Sequence, residues 1–147
     1  MSTDKTITKI HEYFEANLDK RMFNNNSNFD IDLQFGQIYE KSLALILQDK
    51  KIEVKTERDK WKETGNIAIE IRCRGKLSGL SVTEASHWAH ILSYRGYIKS
   101  VILIPVEELK IVVKELLEKK EARIVMGGDD NMSQMVLIPL EKIWKVL

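Results

Sequence analysis

A glutamate and a lysine two positions apart, Glu53 and Lys55, are the residues of this chain best suited to phosphodiester chemistry. They lie in a run of alternating apolar and charged residues that predicts a β-strand over residues 51–57. Side chains two apart on a strand project to the same side, about 6–7 Å from each other. There a carboxylate can hold a hard metal ion while an ammonium group approaches the same substrate. Alternation alone favours a plain solvated charged face, so the interpretation depends on the elements around this strand.

A second acid comes from the following strand, predicted over residues 66–74. The connection between the two strands is short enough for an antiparallel hairpin. If Val54 on the first strand and Ile69 on the second both face one core, Glu53 can stand directly across from Glu70, about 5 Å away. Two carboxylates at that distance repel each other unless a cation lies between them. The hairpin therefore predicts either a metal ion or a compensating lysine.

A third acid, Glu40, lies among apolar neighbours on a helix predicted over about residues 36–48. Only Gln48-Asp49-Lys50 connect this helix to the strand of Glu53, so the two elements must pack antiparallel. Glu40 then lies near the far half of the strand and can supply another oxygen ligand. Three acids suffice, because Mg²⁺ is usually held by one or two carboxylates together with water and phosphate.

The rest of the chain also alternates helices and strands. Before the candidate site we expect an amphipathic helix over 4–20, an Asn-rich linker at 24–28 and a short extended segment over 29–35. After it we expect a helix over 84–94 with Thr83 as its N-cap, a strand over 98–104, a helix over 106–119, strands over 122–126 and 134–138 joined by a turn at 127–131, and a short C-terminal helix. The fold class is therefore α/β (α+β), with a mixed central β-sheet flanked by helices. We predict a single domain over 1–147, made of an N-terminal helix and linker at 1–28 and a core over 29–147.

Composition sets looser limits. The formal net charge is +1, so any binding of nucleic acid must come from local clusters of the 23 Lys and Arg residues. A single cysteine excludes an internal disulfide and a Cys-based zinc cluster. No stretch approaches the ~18–20 apolar residues of a membrane span, and the N-terminus lacks an apolar leader. We therefore expect no membrane association and a cytoplasmic, intracellular protein.

The motif Gly36-x-x-x-Glu40 on a helix, followed by Glu53-x-Lys55 on a strand, resembles the PD-(D/E)xK, or restriction-endonuclease-like, nuclease superfamily. The run from Glu53 to Thr64-Gly-Asn-Ile-x-Ile-Glu70 is similar to one branch of small single-domain proteins, many of viral or phage type. That similarity continues through Arg74-Gly-Lys-x-Ser78-Gly79 and Thr83-x-Ala85-x-x-Trp88. The resemblance covers about residues 29–94 and implies a mixed sheet flanked by helices in the order αβββαβ.

The resemblance also implies a function, a Mg²⁺- or Mn²⁺-dependent nuclease that hydrolyses DNA. Glu40 and Glu53 would hold the metal ion, and Lys55 would position or activate the attacking water. The superfamily normally carries a further acid on a strand before this one, but only twelve residues separate Glu40 from Glu53. Glu70 is the expected replacement and Asp49 the alternative. Small enzymes of this fold frequently act as dimers, and a junction-resolving activity is one version of the function.

Two other functional classes stay open. If neither Glu70 nor Asp49 replaces the acid, the protein is a DNA-binding or structural module that keeps the fold without cleaving. The third possibility is an interaction protein whose charged sheet face binds another protein.

Further residues are candidates for contact with DNA: Lys76, Ser78, Thr83, Trp61 and Arg72. The Ser78-Gly79 turn precedes a predicted helix whose backbone amides can receive a phosphate. Trp61 is expected to be exposed in the loop at 58–65, where its ring can stack on a base or pack on a partner subunit. The resemblance implies a homodimer, and the helix over 4–20 has an apolar stripe free for that contact. His87 and His90 lack a third ligand and are expected to be ordinary, partly exposed residues.

Overall fold

The computed structural model describes residues 29–48 and 51–147, and the side chains from residue 36 onward within the first of these ranges. Three predictions lie outside the described residues: the helix over 4–20 with its role in a dimer, the linker at 24–28, and Asp49 as a metal ligand. The chain divides into two compact units, Met1–Lys50 and Lys51–Leu147. Each unit is described by itself, and the single domain stays a prediction.

The first unit contains one described helix, α1, over Phe29–Gln48. The predicted helix over 36–48 is confirmed, but the extended segment over 29–35 is wrong because the helix already begins at Phe29. No glycine or proline interrupts those seven residues. Ile38 and Ser42 are buried, and the Ser42 hydroxyl donates to the Ile38 carbonyl oxygen at 2.9 Å.

The second unit contains seven strands and three helices among its described residues. They are β1 (Ile52–Arg58), α2 (Lys60–Thr64), β2 (Asn66–Cys73), β3 (Lys76–Leu77), β4 (His87–Tyr94), β5 (Tyr97–Pro105), α3 (Val106–Glu118), β6 (Arg123–Gly127), β7 (Ser133–Pro139) and α4 (Leu140–Val146), with a 3₁₀ turn at Gly79–Ser81. The predicted strands over 51–57, 66–74, 98–104, 122–126 and 134–138 are confirmed, as are the helix over 106–119 and the short C-terminal helix.

The strands form two sheets instead of the single central sheet that the sequence predicted. A three-stranded sheet has the order β1-β4-β5, and a four-stranded sheet has the order β3-β2-β7-β6. β1 and β4 run parallel, whereas the other neighbours run antiparallel. The molecule is therefore a mixed α+β protein with two sheets flanked by helices. Among the helices within residues 29–48 and 51–147, none combines the length and the apolar character that a membrane crossing needs.

Residues of both sheets meet α3 and α4 in one hydrophobic core. The fully buried side chains at its centre are Trp88, Ile67, Ile69, Leu109, Leu116, Ile138, Ile143, Val106, Val112 and Val136. The apolar stripe of α3 supplies several of them, as the helical period of its sequence predicted. Pro105 and Pro139 end β5 and β7 and stand immediately before α3 and α4, where a proline suits the start of a helix.

The helix predicted over 84–94 is wrong, because these residues form the central strand β4. A central strand that is buried on both faces has a nearly continuous run of apolar residues in its sequence. Periodicity alone cannot distinguish such a run from a buried helix. The N-cap signal at Thr83 has a different use. Its hydroxyl oxygen accepts a hydrogen bond from the Ala85 amide at 3.2 Å, in a short turn that leads into the strand.

The predicted hairpin between residues 51–57 and 66–74 is also wrong. In the parallel pairing of β1 with β4, Glu53 stands beside Trp88, and in the antiparallel pairing of β2 with β7, Glu70 stands beside Met135. The connection expected to be a turn folds as α2, which Gly65 closes in the left-handed conformation at φ 70°. The chain therefore leaves β1 through a helix, and β2 enters the other sheet.

The two faces of β1 are exchanged relative to the prediction. Val54 is 56% exposed, whereas Glu53, Lys55 and Glu57 are each half-buried. Residues opposite one another on neighbouring strands share a face. The three charged residues therefore lie on the same side as Trp88 and the other core-facing residues of β4.

Gly79 lies directly against β2. A Cβ atom at this position would collide with the backbone carbonyl group of Glu70, and the residue has a φ of +52°. Only glycine combines that backbone conformation with so close an approach. Two amides keep the turn in place, because Ser78 donates to the Ile71 carbonyl oxygen at 3.1 Å and Thr83 donates to the Gly79 carbonyl oxygen at 3.1 Å.

We predict that Gly79→Ala lowers the free energy of unfolding by more than about 2 kcal/mol, because the added methyl group displaces the turn from β2. Gly65→Ala is the matched control. It has a φ of +70° but open space around its Cα, so it carries only the backbone strain, about 1 kcal/mol. Urea unfolding followed by circular dichroism measures both. Equal losses in the two variants would contradict the close contact.

Candidate functional site

Glu53 and Lys55 form an ion pair on the core-facing side of β1. The Lys55 Nζ lies 2.7 Å from Glu53 Oε1, and the side chains are 40% and 32% exposed, respectively. Lys55 Nζ also lies 5.8 Å from the centre of the Trp88 ring, within the range of a cation–π contact. The pair is therefore partly withdrawn from water but still within reach of a ligand.

Thr83 completes the surroundings of the Glu53 carboxylate. Its hydroxyl group donates to Glu53 Oε2 at 3.3 Å, while Lys55 contacts the other carboxylate oxygen. The sequence nominated Thr83 for contact with DNA phosphate through helix amides. The structure instead places its side chain against the candidate catalytic acid. Glu53, Lys55 and Thr83 are the predicted site residues that the fold brings together.

Glu57 is a second acid on the same side of β1, and its carboxylate contacts residues of β2 and β4. Its Oε2 accepts a hydrogen bond from the Ala68 amide of β2 at 2.8 Å. The same oxygen lies 3.4 Å from Nε2 of His90 on β4, a contact longer than a full hydrogen bond. The sequence predicted no role for Glu57. Its regular spacing from Glu53 and Lys55 was the available signal.

The donor and acceptor pattern fixes the state of His90. The Trp88 indole N–H, which can only donate, points at His90 Nδ1 at 3.1 Å. Nδ1 must therefore be the acceptor, which leaves the ring proton on Nε2 facing Glu57 and the imidazole neutral. The expectation that His87 and His90 are partly exposed is wrong, because both are buried on the central strand.

Glu70 has a separate set of contacts on β2. Its Oε2 accepts a hydrogen bond from the buried hydroxyl group of Ser133 at 2.8 Å, and the Ser78–Gly79 turn packs against its backbone. The Ser78 hydroxyl oxygen is buried and makes no hydrogen bond with any described residue. Glu70 therefore stands next to a turn with an unused polar atom, but its carboxylate is engaged with Ser133.

Glu53 and Glu70, the predicted metal ligands of the second unit, have separate sets of contacts. Within residues 29–48 and 51–147, no three His, Cys, Asp or Glu side chains form a group able to hold a metal ion. Glu53 contacts Lys55 and Thr83, and Glu70 contacts Ser133. Glu40 is exposed on α1, in the other unit.

The residues nominated for DNA contact take different positions. The prediction that Trp61 is exposed is wrong, because α2 turns its ring toward the core and its indole N–H donates to the Ser93 carbonyl oxygen at 2.6 Å. Arg72 is exposed and donates to the Gly75 carbonyl oxygen at 3.3 Å, and Lys76 is exposed on β3.

Arg74, part of the motif behind the family resemblance, has a structural partner. Its Nη2 and Nε donate to Asp130 Oδ2 at 2.8 and 3.3 Å, which ties the β2–β3 turn to the β6–β7 turn. The hydrogen bond from Arg74 holds the pKa of Asp130 below its usual value, and the Met132 amide acts in the same direction. The turn at 127–131 joins two paired strands, so the predicted hairpin there is confirmed.

Comparison of the chain with protein-family models, with curated proteins and with solved structures yields no match. The functional interpretation therefore depends on the side chains themselves. The oxygen atoms of Glu53 and Thr83 are hard donors of the kind that Mg²⁺ and Mn²⁺ prefer, and Glu53 is accessible from solvent. Glu53 therefore has the donor chemistry of a divalent-ion ligand, and its two carboxylate oxygens contact Lys55 and Thr83.

We predict that Glu57→Ala lowers the free energy of unfolding by about 1–3 kcal/mol, because the Ala68 amide loses its acceptor and the His90 Nε2–H loses its facing carboxylate. Glu107→Ala removes a carboxylate from an exposed helical ion pair and serves as the control, with an expected change below about 0.5 kcal/mol. Equal effects in chemical denaturation would show that Glu57 does not join the strands.

Proposed function

We propose that the protein is a Mg²⁺- or Mn²⁺-dependent nuclease that hydrolyses phosphodiester bonds of DNA. The observation that supports it most is the half-buried arrangement of Glu53, Lys55 and Thr83 on one side of β1. A carboxylate, an ammonium group and a hydroxyl group within contact distance suit a reaction that positions a water molecule against a phosphate.

Glu53 is the residue that would hold the metal ion, with Thr83 beside it and Glu70 as the second acid. When bound, the ion supplies a Lewis acid next to the phosphate. Glu40 and Asp49 complete the set of acids that the family resemblance implies. Mg²⁺ takes most of its ligands from water and substrate, so one or two carboxylates from the protein are sufficient to hold it.

Lys55 would orient the substrate and the attacking water. Its ammonium group has three N–H donors, and the Glu53 carboxylate is the ion-pair partner that engages it. The remaining donors can contact a phosphate oxygen or the water. The neighbouring Trp88 ring favours a cation at this place and limits the freedom of the lysine side chain.

The proposal has three finer parts: the restriction-endonuclease-like fold, action as a homodimer inside the cell, and cleavage of branched DNA. They come from the sequence resemblance, which joins Gly36-x-x-x-Glu40 to Glu53-x-Lys55. The order of α1 followed directly by β1, with Glu40 on an exposed position of that helix, agrees with the order of the motif.

One observation favours a second candidate, a DNA-binding protein without catalytic activity. Both oxygens of Glu53 already have partners in Lys55 and Thr83, and Glu70 has a partner in Ser133. Carboxylates whose oxygens already have partners within the protein can stabilise the fold without any role in catalysis. Cleavage assays separate the two candidates.

We predict that the purified full-length protein nicks plasmid, branched or single-stranded DNA with Mg²⁺ or Mn²⁺ and not with EDTA. Glu53→Gln and Lys55→Met should each lower the cleavage rate by at least about a hundredfold, because each removes a charge next to the reacting phosphate. Lys114→Met is the matched control, because it removes a lysine from an exposed ion pair on α3.

The outcomes exclude one candidate or the other. Cleavage that survives both Glu53→Gln and Lys55→Met would show that the activity belongs to another site. Absence of cleavage for every DNA and both metals, with DNA binding retained, would overturn the nuclease in favour of the non-catalytic binder. Thermal unfolding curves establish that each variant is folded.

A further inference from the structure

A group of cations and aromatic rings lies away from Glu53, at the end of the three-stranded sheet. We call it the tip surface; it consists of Arg58, Lys60, Lys62, Tyr94, Arg95, Tyr97 and Lys99. The end of β1, the helix α2 and the β4–β5 hairpin contribute these residues. Parallel pairing of β1 with β4, which sets Arg58 beside Ser93, brings the three segments to the same edge.

The cations of the tip surface lack carboxylate partners, unlike the lysines of α3. Within the described residues, none of its five Lys and Arg side chains forms an ion pair; they are Arg58, Lys60, Lys62, Arg95 and Lys99. On α3 and its C-terminal end, by contrast, Lys110, Lys114 and Lys119 each have a glutamate within 4.0 Å. The sequence segments of the tip surface contain two acids, Asp59 and Glu63, so positive charge is in excess. Such a local excess attracts polyanions even though the whole chain is nearly neutral.

Two tyrosines alternate with these cations. The Lys62 Nζ lies 4.2 Å and the Arg95 Cζ 5.2 Å from the centre of the Tyr94 ring. Tyr97 is 70% exposed, and Lys99 Nζ lies 5.6 Å from its ring. Lys99 falls at a β-bulge, where the register of β4 and β5 shifts, and bulges often re-aim a side chain. An exposed ring next to unpaired cations offers both a stacking face and phosphate contacts.

Hydrogen bonds hold the tip surface in a defined arrangement. The Arg95 amide donates to Asp59 Oδ1 at 2.7 Å, which fixes the hairpin turn to the segment after β1. The Asp59 amide donates to the Ser93 carbonyl oxygen at 3.1 Å, and the Trp61 indole donates to the same oxygen at 2.6 Å. The surface is therefore preformed, which reduces the entropy lost when a ligand binds.

We propose that the tip surface binds single-stranded nucleic acid, with Tyr97 stacking on a base and Lys62, Arg95 and Lys99 contacting phosphates. Proteins that bind single strands combine a cationic track with aromatic side chains on which bases stack. A duplex hides the faces of its bases, whereas an exposed ring such as Tyr97 contributes most when a base is unpaired. An acidic protein would be attracted by the charges but would gain little from the stacking face.

The position relative to Glu53 and Lys55 connects this surface with the proposed nuclease. Lys55 stands beside His90 on β4, and Tyr94 follows four residues later, a distance of about 13 Å along the strand. A strand bound at the tip surface can therefore continue to the site within a few nucleotides. This part of the inference rests on the proposed function, whereas binding itself does not.

The test is fluorescence anisotropy of the full-length protein with a labelled oligothymidine of about 15 nucleotides, in EDTA so that no cleavage occurs. We predict that Lys62→Gln/Lys99→Gln weakens binding at low salt by about tenfold or more. It should also lower the slope of log K against log salt by about 1.4, because two phosphate contacts are lost. Tyr97→Ala should weaken binding between about fivefold and a hundredfold through lost stacking.

Two control variants match these changes elsewhere on the surface. Lys114→Gln/Lys119→Gln removes the same charge from α3, and Trp144→Ala removes another exposed aromatic ring, 59% exposed, from α4. Both should bind the oligonucleotide as the unaltered protein does. If the control lysines weaken binding as much as Lys62 and Lys99, the attraction is a diffuse charge effect and the proposal is wrong.

Other outcomes separate the tip surface from the nuclease. Tight binding to duplex that Tyr97→Ala leaves unchanged would overturn the single-strand proposal, as would binding of acidic protein but not of oligothymidine. Site-specific loss of oligothymidine binding in a protein that cleaves nothing would support the tip surface and contradict the nuclease. Metal-dependent cleavage that depends on Glu53, with unchanged oligothymidine binding in every tip variant, would support the nuclease and contradict the tip surface.

Discussion

A hydrogen bond to the Glu57 carboxylate connects the two sheets that share the hydrophobic core. β2 pairs with β3 only at Arg72 and Cys73, so the earlier part of one edge of β2 has no strand neighbour among the described residues. At that edge the Ala68 amide donates to Glu57 of the other sheet. A side chain thus takes the place that a backbone carbonyl group would occupy in a continuous sheet. The same carboxylate faces His90 on β4 at 3.4 Å.

This link explains why β1 turns its charged residues inward. With Glu57 engaged between the sheets, the alternation of a strand places Glu53 and Lys55 on the same side. The Trp88 ring lies beneath the lysine and partly withdraws the ion pair from water. Charges in such a partly dehydrated place interact more strongly than charges on an open surface. The hydroxyl group of Thr83 then reaches the remaining carboxylate oxygen. The chemistry of the site is therefore a consequence of the same constraint that joins the sheets.

Sequence patterns predicted most elements but not their partners. The helical period of α3 and the alternation in β2 are local signals, and both survive in the fold. β4 was mistaken for a helix because a strand covered on both faces has no period, and the cap-like Thr83 strengthened the error. The hairpin prediction failed because five residues before Gly65 fold as a helix, a choice that depends on Trp61 packing against the core. In the candidate site, the spacing of Glu53 and Lys55 and the family motif around Thr83 were enough to select these three residues. The contacts of Glu57 and His90 could not be predicted without knowing which strands pair.

The parallel pairing of β1 with β4 also has a consequence for the order of folding. The β4–β5 hairpin is local and can form early, and β2 can meet β3 across a single turn. β1 has no neighbour close in sequence, and its crossover runs from Asp59 to Ser86 through elements of the other sheet. Closing so long a loop before any contact compensates for its entropy is slow. The pairing of β2 with β7 spans a still longer stretch of chain, so both non-local pairings are expected to follow the β4–β5 hairpin. The strand that carries the reactive pair therefore docks onto a hairpin that already exists.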